Sequence, residues 1–360
     1  MKRNIILVCL MLIASGVYAQ WEWHNPLDNG TNQGSVIQNQ GWNEDGGNYC
    51  RLPLRAKAKV RKKVWSLAGE SAGLAIRFKT DAKEVKVKYK TTGNYSMPHM
   101  PATGVSGVDL YRNADRGFCF GSYSFGDSVR YNYQIDRGNL SSGEQEYTLY
   151  LPLYNGVKAM EIGIPEGSKF SFIPRITKKP IVLYGTSIAQ GACASRPGMA
   201  WGNIVNRSLE IPLINLGFSG NGKLEKEVLD LINEQEACVY IIDCMANLGD
   251  YDVEQIKKLV KQAILQIREK HDTPILLVEH AGYSNGTTNQ KQYETYSHTN
   301  KGQAEAYKEL KKAGIKEIYY LSREELAYDP DAWVDYVHPS DVGMMRQAAA
   351  VEKKLRKMIK

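Results

Sequence analysis

At Pro180 the hydrophobic pattern of the chain changes period, and that change sets what each side of it can fold into. From about residue 20 to 178, apolar side chains recur at every second position: Leu74, Ile76 and Phe78; Val85, Val87 and Tyr89; Tyr147, Leu149, Leu151 and Leu153; Met160, Ile162 and Ile164. A period of two turns one face of a strand to a core and the other to water. No long amphipathic helix interrupts these runs, so this half reads as an antiparallel β-sandwich, jelly-roll-like in outline. Beyond Pro180, continuous apolar runs (181–184, 213–216, 238–243, 274–279 and 316–320) alternate with helical stretches. Residues 252–270 form one such stretch, with Val253, Ile256, Leu259, Val260, Ala263 and Ile264 on a single stripe, and 341–359 form another. Strands that are apolar on both faces and separated by helices predict a parallel sheet covered on both sides. In such sheets ligands bind at the carboxyl ends of the strands.

The chain has 360 residues, 43% of them apolar, enough for two cores. Residues 1–19 read as an export signal. Lys2 and Arg3 open it, residues 5–13 are its apolar centre, and Val17, Tyr18 and Ala19 offer a small-residue cleavage site. The expected division is therefore a signal over 1–19, a sandwich over 20–178 and an α/β domain over 179–360, joined by a short basic linker. No later run is long enough to span a bilayer, so stable membrane insertion is not expected. The net charge of +7 comes from positive residues scattered among acids. The one dense run (Lys57, Lys59, Arg61, Lys62, Lys63) has little aromatic interleaving and reads as the solvated face of a strand or loop, which argues against nucleic-acid binding. Five cysteines follow the signal: Cys50, Cys119, Cys193, Cys238 and Cys244. The number is odd and the spacing matches no metal motif, so neither a metal nor a cofactor is expected.

Four polar landmarks follow strands of the second half. Ser187 ends the first apolar run within Gly185-Thr186-Ser187; the segment 215–221 follows the second; Asp243 to Asn247 follows the third; Asp335-Tyr336-Val337-His338 precedes the last helix. A serine hydroxyl becomes a nucleophile only when a histidine takes its proton, and a carboxylate must hold that histidine in one tautomer. Asp335 stands three residues before His338, and no other histidine has a carboxylate at that offset. The tetrahedral intermediate carries an oxyanion that needs convergent N–H donors. Ser187 N–H, Gly220 N–H, unobstructed by a side chain, and the Asn247 carboxamide are the candidates. Asp243 rivals Asp335 but reads as a loop-bracing carboxylate.

This arrangement resembles the SGNH hydrolase superfamily, the GDSL esterases. Gly-Thr-Ser matches the first block with Thr186 in place of aspartate, and 215–221 matches the second with Gly220 at the oxyanion glycine. The third block matches only in Asn247, and Asp335 to Pro339 matches the last fully. In the first half, Gly107-Val108-Asp109-Leu110-Tyr111 resembles the motif that names a β-sandwich found before a bacterial branch of these esterases. The resemblance implies a three-layer, flavodoxin-like α/β/α hydrolase domain after the sandwich. It also implies an exported serine esterase of carbohydrates with Ser187, His338 and Asp335 as triad; the export signal, the sandwich partner and the absence of a long apolar stretch for lipid chains favour acetyl as the acyl group. Alternatives are a lipase or thioesterase for small or lipid acyl groups, and an inactive carbohydrate-binding protein. The polar segment 282–300, rich in Tyr and Asn, is expected to be a long loop suited to sugars. His99 is expected on a loop reaching across the domain boundary, His280 at the site's sheet edge, His24 and His298 in solvent, and Trp201 and Trp333 beside the site or in the core.

Overall fold

A computed structural model describes residues 20–28, 35–44, 48–136 and 143–359; the expected signal, 1–19, lies outside the described residues. The first half contains strands β1 (Trp21–His24), β2 (Ile37–Gln38), β3 (Ala75–Thr80), β4 (Glu84–Thr91), β5 (Asp109–Arg112) and β6 (Gly117–Cys119). It continues with β7 (Gly121–Phe125), β8 (Val129–Gln134), β9 (Gln145–Tyr150), β10 (Val157–Pro165) and β11 (Phe170–Phe172). Two short helices, α1 (Lys62–Ala68) and α2 (Ala102–Val105), lie between strands. One sheet runs β1-β10-β4-β8-β7 and the other β11-β3-β9-β5-β6, with β2 added on β3. The strand pairs are antiparallel. The alternating residues do what their spacing predicts: Ile76, Phe78, Val85, Val87, Leu149 and Ile162 fill the space between the sheets.

The second half is a five-stranded parallel sheet of β12 (Ile181–Gly185), β13 (Leu213–Gly217), β14 (Val239–Asp243), β15 (Ile275–Val278) and β16 (Ile318–Leu321). Its order is β13-β12-β14-β15-β16, so the chain reverses direction across the sheet at β12. Its helices are α3 (Ser187–Gln190), α4 (Trp201–Leu209), α5 (Lys226–Ile232), α6 (Val253–Arg268), α7 (Gln290–Lys312), α8 (Arg323–Leu326) and α9 (Asp341–Met358). Val182, Tyr184, Ile242 and Leu277 pack with α5, α6 and α7 on one face. Leu183, Ile241 and Val278 pack with α3, α4 and α9 on the other. This is the expected three-layer fold, with the open crevice at the carboxyl ends of β12, β13 and β14. Among the described residues no helix is long and apolar enough to cross a membrane.

Two expectations fail in part. The basic run at 57–63 is solvated as expected but lies on no strand: it passes from a 3-10 turn, Leu54–Ala58, through a short bend into α1. Val60, Val64 and Leu67 make a helical stripe that enters the core of the parallel sheet beside Leu216, Phe218 and Val228, while the lysines face water. The segment 282–300 is not one long loop either, because α7 begins at Gln290 with Asn289 Oδ1 capping Gln292 N–H at 3.1 Å. The helix hid because the first turns of its buried stripe are written in polar letters, Tyr296, Thr299, Asn300 and Gln303, before Ala306 and Leu310. Asn300 exchanges hydrogen bonds with the backbone of His280 (2.8 and 2.9 Å), and Gln303 Nε2 donates to Val278 O at 3.0 Å. Amides that satisfy a sheet edge replace the aliphatic residues that a hydrophobic pattern would display.

Candidate active site

Ser187 opens α3 directly after β12, so its N–H is one of those a helix start leaves without an intrahelical partner. Thr186 is the N-cap and accepts from Ile188 N–H at 3.3 Å. The turn is tight because Gly185 has no side chain: a Cβ there would lie 2.6 Å from that of Ala189 and 2.8 Å from Asp243 O. Asn215, inside β13, fastens the same turn by donating to Ala189 O at 2.8 Å.

The segment 335–338 reaches Ser187 from the far end of the chain. His338 Nε2 lies 3.0 Å from Ser187 Oγ, and His338 Nδ1 lies 2.8 Å from Asp335 Oδ2. The other carboxylate oxygen accepts from Val337 N–H (2.8 Å) and His338 N–H (2.7 Å), so the turn carries its own brace. Burial pushes the Asp335 pKa up, but the bonds from the His338 ring and the two backbone N–H groups outweigh it and hold the carboxyl below its ordinary range. An isolated bridge between Trp333 and Pro339 closes the loop, and Ser284 N–H donates to Tyr336 O at 2.9 Å.

Gly220 and Asn247 meet at the same edge. Gly220 is exposed in the left-handed region (φ 66°), and a Cβ there would point into open space. Gly222 sits so close beneath β12 that a Cβ would fall 2.0 Å from Gly185 O. One end of the Asn247 carboxamide faces Asn221 N–H and Gly222 N–H, each at 3.0 Å, so that end is the oxygen. The same end approaches Phe218 O at 3.5 Å, a contact too long to reverse the assignment. Nδ2 therefore points away from the loop, free of these partners. Ser187, Gly220 and Asn247 thus follow three adjacent strands of the parallel sheet, β12, β13 and β14, while His338 and Asp335 reach Ser187, 8% exposed, from the loop before α9.

Sequence reasoning missed what supports this edge from the first half. Arg51, 2% exposed, donates to Leu67 O, Glu70 O, Asn215 O and Gly217 O and lies 5.0 Å from the Phe218 ring centroid. Burial pulls its pKa down to about 10, against the charge of Glu70. Gln190 ties α3 to Glu70 and accepts from Ser219 N–H at 3.0 Å. Arg61 reaches Asn221 Oδ1 at 2.7 Å. The Gly107-to-Tyr111 motif docks the halves: Asp109 and the Tyr111 hydroxyl hold Arg196 at 2.8 and 2.6 Å, and Asp109 also accepts from Gly198 N–H at 2.7 Å. His99 does cross between the halves, its ring 5.5 Å from that of His338.

The competitors fall away. His280 is buried, accepts from Gly282 N–H at 2.9 Å and is kept neutral by burial, which pulls its pKa to about 3. His298 lies on α7 rather than in a loop, and His24 stacks on Phe170 inside the sandwich rather than in solvent. Asp243 braces α9 by accepting from Gln347 Nε2 at 3.0 Å; burial raises its pKa to about 7. Trp201 is core, and Trp333 packs on Tyr328. A groove of about 650 Å³ lined by Arg77, Arg112, Tyr150 and Arg207 includes none of Ser187, Asp335 or His338, and the hydrogen-bond geometry, not the size of a cavity, identifies the candidate site.

Similarity to known proteins gives the family. Residues 178–356 match the GDSL-like lipase/acylhydrolase family and residues 21–170 the N-terminus of SGNH-hydrolase-type esterases. A GDSL-like lipase candidate from Bacteroides ovatus shares 31% identity over 94% of this chain and 98% of its own, with a TM-score of 0.83. The salicylyl-acyltransferase SsfX3 of a tetracycline pathway is 17% identical over 94% and 97% (TM-score 0.69), and a family two carbohydrate esterase from Cellvibrio japonicus 12% identical over 94% and 98% (TM-score 0.55); both share the fold. No curated protein matches the sequence. The chain belongs to the GDSL-like lipase/acylhydrolase family and is a carboxylic ester hydrolase of the SGNH type.

Proposed function

We propose that this hydrolase cleaves acetyl esters of carbohydrates outside the cytoplasm by acyl transfer to Ser187. The observation that carries the reading is the chain Asp335 Oδ2–His338 Nδ1 (2.8 Å) and His338 Nε2–Ser187 Oγ (3.0 Å). Asp335 fixes the proton on Nδ1 and leaves Nε2 as the base. As Oγ attacks the ester carbonyl, its proton passes to Nε2. The oxyanion is held by Ser187 N–H, Gly220 N–H and Asn247 Nδ2. The intermediate collapses, the sugar oxygen leaves with the proton from Nε2, and an acyl-serine remains. Water, deprotonated by His338, then adds to the acyl carbon, and collapse regenerates the serine and releases acetate.

Two features support a sugar substrate. The ring of Tyr336, 52% exposed and two residues from His338, lies 5.6 Å from that of the half-buried Tyr283, and an exposed ring so near the base in sequence suits the apolar face of a sugar. Fold relatives include family two carbohydrate esterases, among them one from Clostridium thermocellum in complex with cellohexaose. Export rests on the reading of residues 1–19.

The test is acetate release from acetylated xylan, pectin and sialoglycan beside nitrophenyl esters of rising chain length. Acetate from at least one glycan, with turnover falling as the acyl chain lengthens, is the expected result. No acetate from any, together with good long-chain turnover, replaces the sugar reading with a lipase. Ser187→Ala should lower kcat on the order of 10⁶-fold, as deletion of a triad nucleophile does elsewhere; unchanged turnover would sink the mechanism.

A further inference from the structure

His99, Cys193 and His338 stand 94 or more residues apart in sequence, yet each directs a ligand-type atom to one point: these atoms all lie within 4.8 Å of one another. None of the three belongs to a metal spacing motif. His99 is presented by a tight turn, with Met97 N–H bonded to Met100 O (3.1 Å) and Met100 N–H to Met97 O (3.0 Å). Pro98 restricts that turn, and Met100 is buried in the core of the parallel sheet. Cys193, 5% exposed, follows α3, and its backbone is held in the left-handed region (φ 66°), a conformation unusual for a residue with a side chain. Its thiol is used only weakly, donating to His99 O at 3.4 Å.

We propose that His99, Cys193 and His338 form a site for a soft divalent cation of the zinc class, and that its occupancy switches the esterase off. Two imidazoles and a sulfur are the donor set that selects zinc over calcium or magnesium. Tetrahedral zinc, with bonds of about 2.0–2.3 Å, spaces its ligands by roughly 3.5 Å, so side-chain rotations on the order of 1 Å close the present cluster. The fourth position is left to water or to Ser187 Oγ. His338 has only Nε2 to offer, because Nδ1 is bound to Asp335 at 2.8 Å, and that carboxylate–imidazole pairing is the kind that orients zinc-binding histidines. The cation and the serine proton therefore compete for one lone pair. Binding forms the zinc–nitrogen and zinc–sulfur bonds, breaks the His338–Ser187 hydrogen bond and releases the thiol proton to solvent, with no change of oxidation state.

The inhibitory consequence rests on the serine mechanism above; the site itself does not, and the experiment separates them. With chelator-treated protein, Zn²⁺ should inhibit nitrophenyl acetate hydrolysis reversibly, at one ion per chain, and chelator should restore the rate. His99→Ala and Cys193→Ala, each compared with its own zinc-free rate, should raise the half-inhibiting concentration by roughly 10–100-fold or more. In Ser187→Ala, which needs no activity, Co²⁺ should produce a thiolate-to-cobalt charge-transfer band that disappears in the Ser187→Ala/Cys193→Ala double variant. Equal inhibition of parent and both variants, or no cobalt band in Ser187→Ala, would overturn the site. A cobalt band without zinc inhibition would keep the site and overturn its regulatory role.

Discussion

Asn247 shows how one residue's role depends on which end of its side chain is committed. Two backbone N–H groups occupy Oδ1 at 3.0 Å each, so Nδ2 is the end left to donate outward. If Nδ2 serves the oxyanion, Asn247→Ala should lower kcat by about 10²–10³-fold with little change in KM, since the charge it meets develops only in the transition state. Steady-state kinetics on nitrophenyl acetate decide it; a near-neutral kcat would move the oxyanion contact elsewhere. Asp243 poses a different residue-scale question, because burial holds its pKa near 7. Its native pKa is raised above the unfolded value of about 3.9. The native state thus binds the extra proton between these values, and stability falls as pH rises from about 4 to about 7. Asp243→Asn removes that slope. The parent's melting temperature should drop between pH 5 and pH 8 while the variant's stays level; parallel curves would mean that Asp243 is already ionised at pH 5 and titrates in the ordinary carboxyl range.

At the scale of elements, the edge is built by glycines that let backbone lie on backbone. Gly222 packs the loop after β13 against the end of β12 so closely that any Cβ would collide with Gly185 O. Gly222→Ala should cost about 1–3 kcal/mol or more by overpacking, and should lower kcat because the displaced loop carries Gly220. Urea unfolding with kinetics checks both, and a stable, fully active variant would show that the loop yields without consequence. The helices teach a related lesson. α6 was legible because Ile256, Val260, Ala263 and Ile264 write its stripe in aliphatic letters. α7 was not, because Asn300 and Gln303 occupy buried turns and hydrogen-bond to His280, just beyond β15, and to Val278 at its end.

Across the whole molecule the two halves share structure. Val60, Val64 and Leu67 from the first half belong to the core of the second, and Arg51 satisfies carbonyls at the end of β13. A chain of residues 179–360 alone would expose that apolar face and leave those carbonyls without their donor. It should express as insoluble or molten protein, whereas residues 20–360 should unfold in one cooperative transition. A soluble 179–360 fragment with sharp near-ultraviolet dichroism and native melting would refute this.

The sequence by itself determined the two periodicities, the five apolar strands beyond Pro180 with the helices over 252–270 and 341–359, and the local Asp335–His338 pairing. These depend on side chains a few positions apart, and local spacing is what a linear pattern records. It also singled out Ser187, Gly220 and Asn247, because each follows an apolar strand and the fold delivers such positions to one edge. Only the tertiary structure decided that α1 completes the second core, that Arg51 and Gln190 hold the end of β13 and the loop after it, and that His99 and Cys193 stand beside His338. Those contacts join segments far apart in the chain through backbone carbonyls and single polar atoms. Such partners have no period, so no pattern along the chain announces them.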